Sequence, residues 1–196
     1  MKLLSLWEPW ATLMALDAKK IETRSWATSY RGWLAIQASK LGLSQRDLRE
    51  ICSTRVFRNA LGWEHSMLPM SALCGAFPRG KITAVVRLVD CPLMVQCHCG
   101  GSDIECVNCA GSGARLNGGH RLTLQERTFG NYEAGRYGWI TSDLFRLPEP
   151  IAFKAAQGLC DVPDEIVAQI TRQGWCCDPH ITDSAAGART GTLGLF

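Results

Sequence analysis

Residues Ile82, Ala84, Val86 and Leu88 alternate with Thr83, Val85, Arg87 and Val89, the period of a strand with one more apolar face, and this predicts a core strand over 81–90. Lys2 to Trp7 predicts a shorter strand, after which Pro9 suits the first position of a helix running to about Leu16. Further strands are predicted over Ile21–Arg24 and Gly32–Ala38, separated by a turn at Tyr30-Arg31-Gly32. Ser44 and Asp47 approximate a capping box that starts a helix over Gln45–Cys52, with a continuation toward Phe57. Tyr137–Thr141 and Pro150–Phe153 read as two strands, and Pro163 to about Gln173 as a helix with proline at its first position and Asp164 and Glu165 in its first turn. Short strands, long connections and few helices predict an α+β domain around a small, partly closed sheet, and exclude a doubly wound parallel one.

The pattern stops between Cys97 and Gly119, where Cys, Gly, Ser and Asn replace the apolar residues needed for a core. The organisation expected is a domain over 1–183, interrupted by a metal-binding insertion at 92–119 and followed by a mobile tail at 184–196. No apolar run approaches the roughly 18 residues of a membrane helix. Glu8 and Pro9 cut the opening apolar run short of an export signal, so a cytoplasmic location is expected. A net charge of +3 is too small to decide the partner by itself.

Ten cysteines in such a chain point to a reducing compartment and a metal, because four of them crowd into thirteen residues. Cys97-His98-Cys99 and Cys106-Val107-Asn108-Cys109 supply two chelating pairs joined by a short loop. Four thiolates, Cys97, Cys99, Cys106 and Cys109, form a closed tetrahedral set for a structural zinc ion, with His98 as an alternative ligand beside the tight Cys-x-Cys. The second half also resembles a half-repeat of the DnaJ cysteine-rich zinc module. Cys52, Cys74, Cys91, Cys160, Cys176 and Cys177 are scattered and read as small buried apolar side chains.

Three segments carry a family resemblance: Ser5-Leu6-Trp7-Glu8-Pro9-Trp10, Lys19-Lys20-Ile21-Glu22-Thr23-Arg24-Ser25-Trp26, and Tyr30-Arg31-Gly32-Trp33-Leu34-Ala35-Ile36-Gln37-Ala38. They resemble the opening of ASCH domains, of the PUA-like group, and the likeness continues through Gly80–Cys91 and Gly135-Arg136-Tyr137-Gly138-Trp139 to Leu159. The signature Gly-x-Lys-x-x-Glu-x-Arg falls on Asp17, Lys19, Glu22 and Arg24, with Asp17 in place of glycine; Gln37 stands where the family suggests histidine. The resemblance implies a PUA-like β-barrel with flanking helices and a cleft, and a role in RNA-related or nucleotide-related metabolism.

In a strand of period two, Glu22 and Arg24 share one face while Ile21 and Thr23 take the other. Lys19 and Glu22 are therefore the candidate catalytic residues, and Trp7, Lys19, Arg24, Tyr30 and Arg31 the candidate contacts for a nucleic acid or nucleotide. Trp33 reads as core, and Arg31 as either a phosphate ligand or a brace for its turn. The leading expectation is a recognition domain for RNA, single-stranded nucleic acid or a modified nucleotide. The alternatives are a hydrolase, either a nuclease or an amidohydrolase of modified nucleosides, and a zinc-stabilised module that docks a protein partner. Some relatives in the amidohydrolase group combine lysine, threonine and glutamate; Lys19 matches the lysine, but Glu22 occupies the threonine position.

Overall fold

A computed structural model describes residues 1–156 and 158–176 of the chain. Cys177, the expected boundary at 183 and the tail at 184–196 lie outside the described residues. The fold is α+β, a curled six-stranded half-barrel with flanking helices and an inserted cysteine cluster. Its strands run in the order β2 (Ile21–Arg24), β7 (Tyr137–Ala152), β4 (Lys81–Asp90), β3 (Gly32–Ala38), β1 (Lys2–Leu6) and β8 (Leu159–Asp161). Only β1 and β3 pair in parallel, with Leu4 opposite Ile36; the other pairings are antiparallel.

From Ala84 onward β4 alternates as the sequence predicts, but a bulge at Thr83 carries Ile82 to the opposite face from Ala84, and both faces of the strand's middle are covered. Ala84, Val86 and Leu88 join Leu4, Leu34, Ile36 and Trp139 on one side, under α1 (Trp10–Ala15). Ile82 and Val85 join Leu3, Ala35 and Ile151 on the other, under α6 (Asp164–Arg172). A third cluster lies between α1 and the helices α2 (Gln45–Ser53), α3 (Arg55–Ala60) and α4 (Met70–Gly75), and includes Leu13, Leu48, Phe57 and Phe77. The predicted continuation of α2 toward Phe57 is broken at Thr54, whose ψ of 145° is extended. Both helix-starting prolines sit one place earlier than expected, at the residue before the helix: Pro9 before Trp10 and Pro163 before Asp164.

The two strands predicted at 137–141 and 150–153 are parts of one long strand, β7. Ile151 faces Ile82 and Arg146 faces Ala84, so a wide bulge carries Leu147 to Pro150 opposite one residue of β4. Pro148 and Pro150 are tolerated there because no ladder donor is needed. Gln173 fills in for the missing partner strand: its side chain accepts from the Glu149 N–H and donates to the Glu149 carbonyl, both at 2.9 Å.

Between β4 and β7 the chain forms a hairpin of β5 (Met94–Gln96) and β6 (Ala114–Leu116), with the four clustered cysteines in the loop that joins them. The hairpin has more core than its composition suggests. Met94, Leu116, Ala110 and Leu122 pack with Tyr132 on Ile21 of β2. Gly138 admits this contact, because a Cβ there would lie 2.4 Å from Leu116 Cδ2. The helix α5 (Leu124–Thr128) follows, with the Thr123 hydroxyl accepting from the Glu126 N–H at 3.1 Å.

Candidate functional site

The strand β2 ends the sheet on one side and β1 lies near the other, and curling brings their ends together. Arg24 Nη2 donates to the Ser5 carbonyl at 3.2 Å, across strands that are not neighbours in the sheet. Between them opens a cleft of about 560 Å³, bordered by Trp7, Trp10, Glu22, Arg24, Asn131 and Arg136 among others. Trp7 is 51 % exposed, an unusual state for so large an apolar ring.

The predicted pairing of Glu22 with Arg24 on one face of β2 is present. Glu22 Oε1 lies 3.2 Å from Arg24 Nε, and Glu22 Oε2 lies 3.5 Å from Lys19 Nζ. Lys19 does not border the cleft. It is buried behind Glu22, and its ammonium also donates to the Ile21 carbonyl. Thr23 takes the opposite face of the strand and is buried, yet it still contributes to the wall of the cleft; its hydroxyl accepts from the Asn131 N–H at 3.1 Å.

Tyr30 and Arg31 stand apart from this cleft. The Tyr30 hydroxyl donates to the Trp33 carbonyl at 2.8 Å and its ring borders a different hollow, with Trp33 and Trp175. Arg31 braces its turn, donating to the Thr28 and Tyr30 carbonyls at 3.0 and 2.8 Å and pairing with Asp90 at 3.2 Å. Trp33 packs edge-on against Trp175 at 5.5 Å in the second core cluster.

Two groups at the site escaped the sequence reading. Arg136 borders the cleft and donates through Nη2 to the Thr23 carbonyl at 3.3 Å, while its Nε is buried without a hydrogen-bond partner among the described residues. Glu126 lies behind the site. Burial raises its carboxyl pKa, opposed by the Lys19 charge and by the N–H of Lys20, while Tyr132 donates to it at 3.3 Å. The Thr123-x-x-Glu126 spacing is the signal that marks α5, although Glu126 reaches across to β2 instead of closing a capping box.

Asp17 holds the signature's turn in a left-handed conformation, φ 58°, which is where the family places glycine. Aspartate is among the few side chains that tolerate this region. Gln37 is buried and donates to the Phe153 carbonyl, tying β3 to the end of β7.

At the cysteine cluster, the four sulfurs of Cys97, Cys99, Cys106 and Cys109 all lie within 4.8 Å of one another. Individual separations are 3.8 Å for Cys97 to Cys106, 3.6 Å for Cys97 to Cys99 and 3.2 Å for Cys99 to Cys109. A tetrahedron with zinc–sulfur bonds of about 2.3 Å has edges of about 3.8 Å, so the set is close to the size that zinc requires. His98 is exposed and outside the sulfur group, so these four cysteines form the cluster that could hold a metal ion. The Gly101 N–H and the Cys109 thiol favour the Cys99 thiolate, whereas burial pushes the Cys109 thiol up. Gly101 and Gly113, at φ 91° and 80°, cross so closely that a Cβ on Gly101 would lie 3.2 Å from the Gly113 nitrogen. Of the remaining described cysteines, Cys52 and Cys74 are buried as expected, while Cys91, Cys160 and Cys176 are only partly covered.

No helix of the described residues is long and apolar enough to cross a membrane. No family model matches the chain. It is similar to Activating signal cointegrator 1 of Homo sapiens and of Mus musculus, in each case 33% identical over 89 residues. The match covers 45% of this chain and 14% of those proteins, so the chain spans a small part of the relatives it matches.

Proposed function

We propose that the protein is an ASCH-type recognition domain of the PUA-like group, whose cleft binds one nucleotide of a single-stranded nucleic acid, RNA above all, or a modified nucleotide. The likeness to Activating signal cointegrator 1, which carries an ASCH domain, agrees with the motifs read from the sequence. The observation that carries the reading is the half-exposed Trp7 ring bordering the same cleft as the guanidinium groups of Arg24 and Arg136. An aromatic face takes a base without demanding a sequence, and forked donors match phosphate oxygens. Arg24 and Arg136 hold the phosphate in this reading, Trp7 stacks on the base, and Glu22 accepts from its polar edge. The structure-holding metal is zinc, bound by Cys97, Cys99, Cys106 and Cys109; its role is to close the hairpin, since four thiolates leave no position for a reacting water.

Titration of tryptophan fluorescence with nucleoside monophosphates, and of a labelled single-stranded RNA with protein, tests the reading. Saturable binding that Arg24→Ala weakens is the expected result; absence of binding to all of these ligands overturns it.

A hydrolase is the second reading, favoured by the placement of Glu22 at the cleft with cations on both sides. Glu22 would accept a proton from water, Lys19 would orient Glu22 from behind, and Arg24 would stabilise charge developing on the substrate. Turnover of RNA, DNA or an acylated nucleoside that disappears in Glu22→Gln places this reading above the first.

A further inference from the structure

A further concavity, of about 440 Å³, is bordered by Lys40, Arg79, Lys81 and Lys154 and by no acidic side chain. None of the four cations has a salt-bridge partner among the described residues. Lys40, Lys81 and Lys154 are exposed, and Arg79 is half-buried with its Nη2 buried and lacking a hydrogen-bond partner. The chain carries a net charge of only +3, so four cations around one hollow, of which only Arg79 feels a nearby carboxylate, that of Glu8, are a local concentration. Converging like charges repel one another, and an anion between them removes that repulsion.

The floor of the hollow is fixed. Gly80, at φ 76°, donates to the Ala38 carbonyl and accepts from the Phe153 N–H at 3.1 Å, joining β3, β4 and β7 at one end of the sheet. Lys40 is laid over this glycine: a Cβ at Gly80 would lie 2.7 Å from Lys40 Cε and 2.8 Å from Lys40 Cγ. The absent side chain is what lets Lys40 cross to the others.

One short segment enters the hollow and also touches Trp7 and Leu6, two residues that border the cleft. Ser39 donates to the Leu6 carbonyl at 2.7 Å, Lys40 lies in the hollow, and Gly42 lies under Trp7, with a Cβ there 3.7 Å from the Trp7 Cβ. We propose that the hollow formed by Lys40, Arg79, Lys81 and Lys154 binds the phosphodiester backbone of a single strand, another nucleotide of which occupies the cleft. The inference rests on the cleft reading above. It adds a polyanion subsite that makes the protein prefer a strand over a mononucleotide. A single strand fits better than a duplex because stacking on Trp7 needs an unstacked base.

The test uses the full chain, an oligouridine of roughly 12 nucleotides, within the usual site sizes for single strands, and uridine monophosphate. Lys81→Gln and Lys154→Gln are combined, since both residues are exposed and neither borders the cleft. Each phosphate contact on a single strand contributes about 0.7 to the slope of log affinity against log salt, which at 0.1 M salt is a factor of roughly 5. The double variant is expected to lose about 20-fold in oligonucleotide affinity and about 1.4 in salt slope, with uridine monophosphate binding unchanged. Arg24→Ala is expected to weaken both ligands. Oligonucleotide affinity and slope equal to wild type in the lysine variant, with Arg24→Ala still impaired, overturn the hollow and leave the cleft reading standing. A lysine variant that loses affinity while Arg24→Ala loses none supports the hollow and removes the cleft. Wild-type protein that binds no oligonucleotide overturns the hollow, and overturns the cleft as well when it binds no uridine monophosphate; adhesion of that protein to phosphatidylserine vesicles assigns the hollow to a lipid surface.

Discussion

Arg24 donates from β2 to the Ser5 carbonyl of β1 at 3.2 Å, and this single contact ties the two sides of the open half-barrel across the mouth of the cleft. The same guanidinium lies 3.2 Å from Glu22. Its position is therefore set by structure on two sides, and a ligand meets a cation already oriented, with little further ordering to be lost on binding.

Arg24→Ala is expected to lower stability by about 1 kcal/mol, the scale of one hydrogen bond from a charged group that is partly in water. It is also expected to weaken nucleotide binding by tenfold or more, as loss of a charge-assisted contact of about 1.5 kcal/mol requires. Glu22→Gln keeps the shape and an acceptor oxygen, so it should retain most binding while removing any activity that needs a carboxylate. Denaturant melts of both variants come first, followed by the fluorescence titration. Wild-type stability and wild-type binding in both would make the constellation a surface salt bridge and the cleft assignment wrong.

The metal prediction extends beyond the hairpin. Leu116 and Met94 pack on Ile21, and the Glu126 carboxylate accepts the Lys20 N–H, so the cysteine hairpin and α5 together support β2 from outside the sheet. Protein purified under reducing conditions should carry about one zinc per chain, because four thiolates complete one tetrahedral shell. Cys109→Ser should abolish stoichiometric zinc and raise hydrogen exchange in the hairpin, in α5 and in β2, while β3 and β4 stay protected. Metal analysis near zero for the wild type argues against the site, and exchange confined to 97–109 argues against the coupling to β2.

Much of this arrangement is visible in the chain itself, for reasons that differ by element. The strand β4 is legible because burial on both faces selects Ile82, Val85, Val86 and Leu88 strongly, while the bulge at Thr83 that turns Ile82 to the other face is not. The cysteine spacing is legible because coordination geometry restricts ligands to short separations. The continuity of β7 is not, because Asp143, at φ 51°, and the prolines at 148 and 150 have the composition of a break, and only the partner strand shows that they occupy bulges. Likewise Arg136 follows a glycine turn and looks like an ordinary exposed cation. Its approach to the cleft depends on the antiparallel pairing that brings the start of β7 beside Thr23, a contact between residues 113 positions apart. Lys19 shows the converse: its motif is plain in the sequence, while its burial behind Glu22 follows from Glu126 of α5, whose position no local pattern reveals.

Asp17 provides a test of the turn that presents Lys19. Its φ of 58° lies in the region that costs an L-residue roughly 1 kcal/mol or more, partly offset here by an ion pair to Lys20 Nζ at 3.1 Å between exposed groups. Asp17→Gly removes the strain but gives the unfolded chain more freedom, worth roughly 0.5–1 kcal/mol, so stability should change by less than about 1 kcal/mol. Asp17→Val cannot adopt this conformation cheaply and should cost about 2 kcal/mol or more. A urea series on the three proteins distinguishes them; equal midpoints for glycine and valine would show that the left-handed turn is not retained in solution.

Glu8 gives the fold a pH dependence that can be predicted with its sign. The carboxyl is buried at the start of α1, where it accepts from the Thr12 N–H at 3.1 Å and the Thr12 hydroxyl at 2.9 Å. Burial raises its pKa from 4.5 to about 7, against the opposing effect of the Thr12 hydrogen bonds and of Arg79. An acid whose folded pKa exceeds its unfolded value takes up a proton on folding, so this group favours the folded state below about 4.5 and costs stability progressively as pH rises toward 7. The full cost above that window is on the order of 3 kcal/mol. Glu8→Gln keeps an acceptor for the Thr12 N–H and can donate to the Thr12 hydroxyl oxygen, while removing the charge. The variant should therefore be more stable than wild type at pH 8 and nearly equal to it at pH 4.5, and the difference should grow through the interval between. Paired denaturant melts across that range measure it directly. A difference that is constant with pH, or that favours wild type at pH 8, would show that the Glu8 carboxylate is as well solvated in the folded protein as in the unfolded chain.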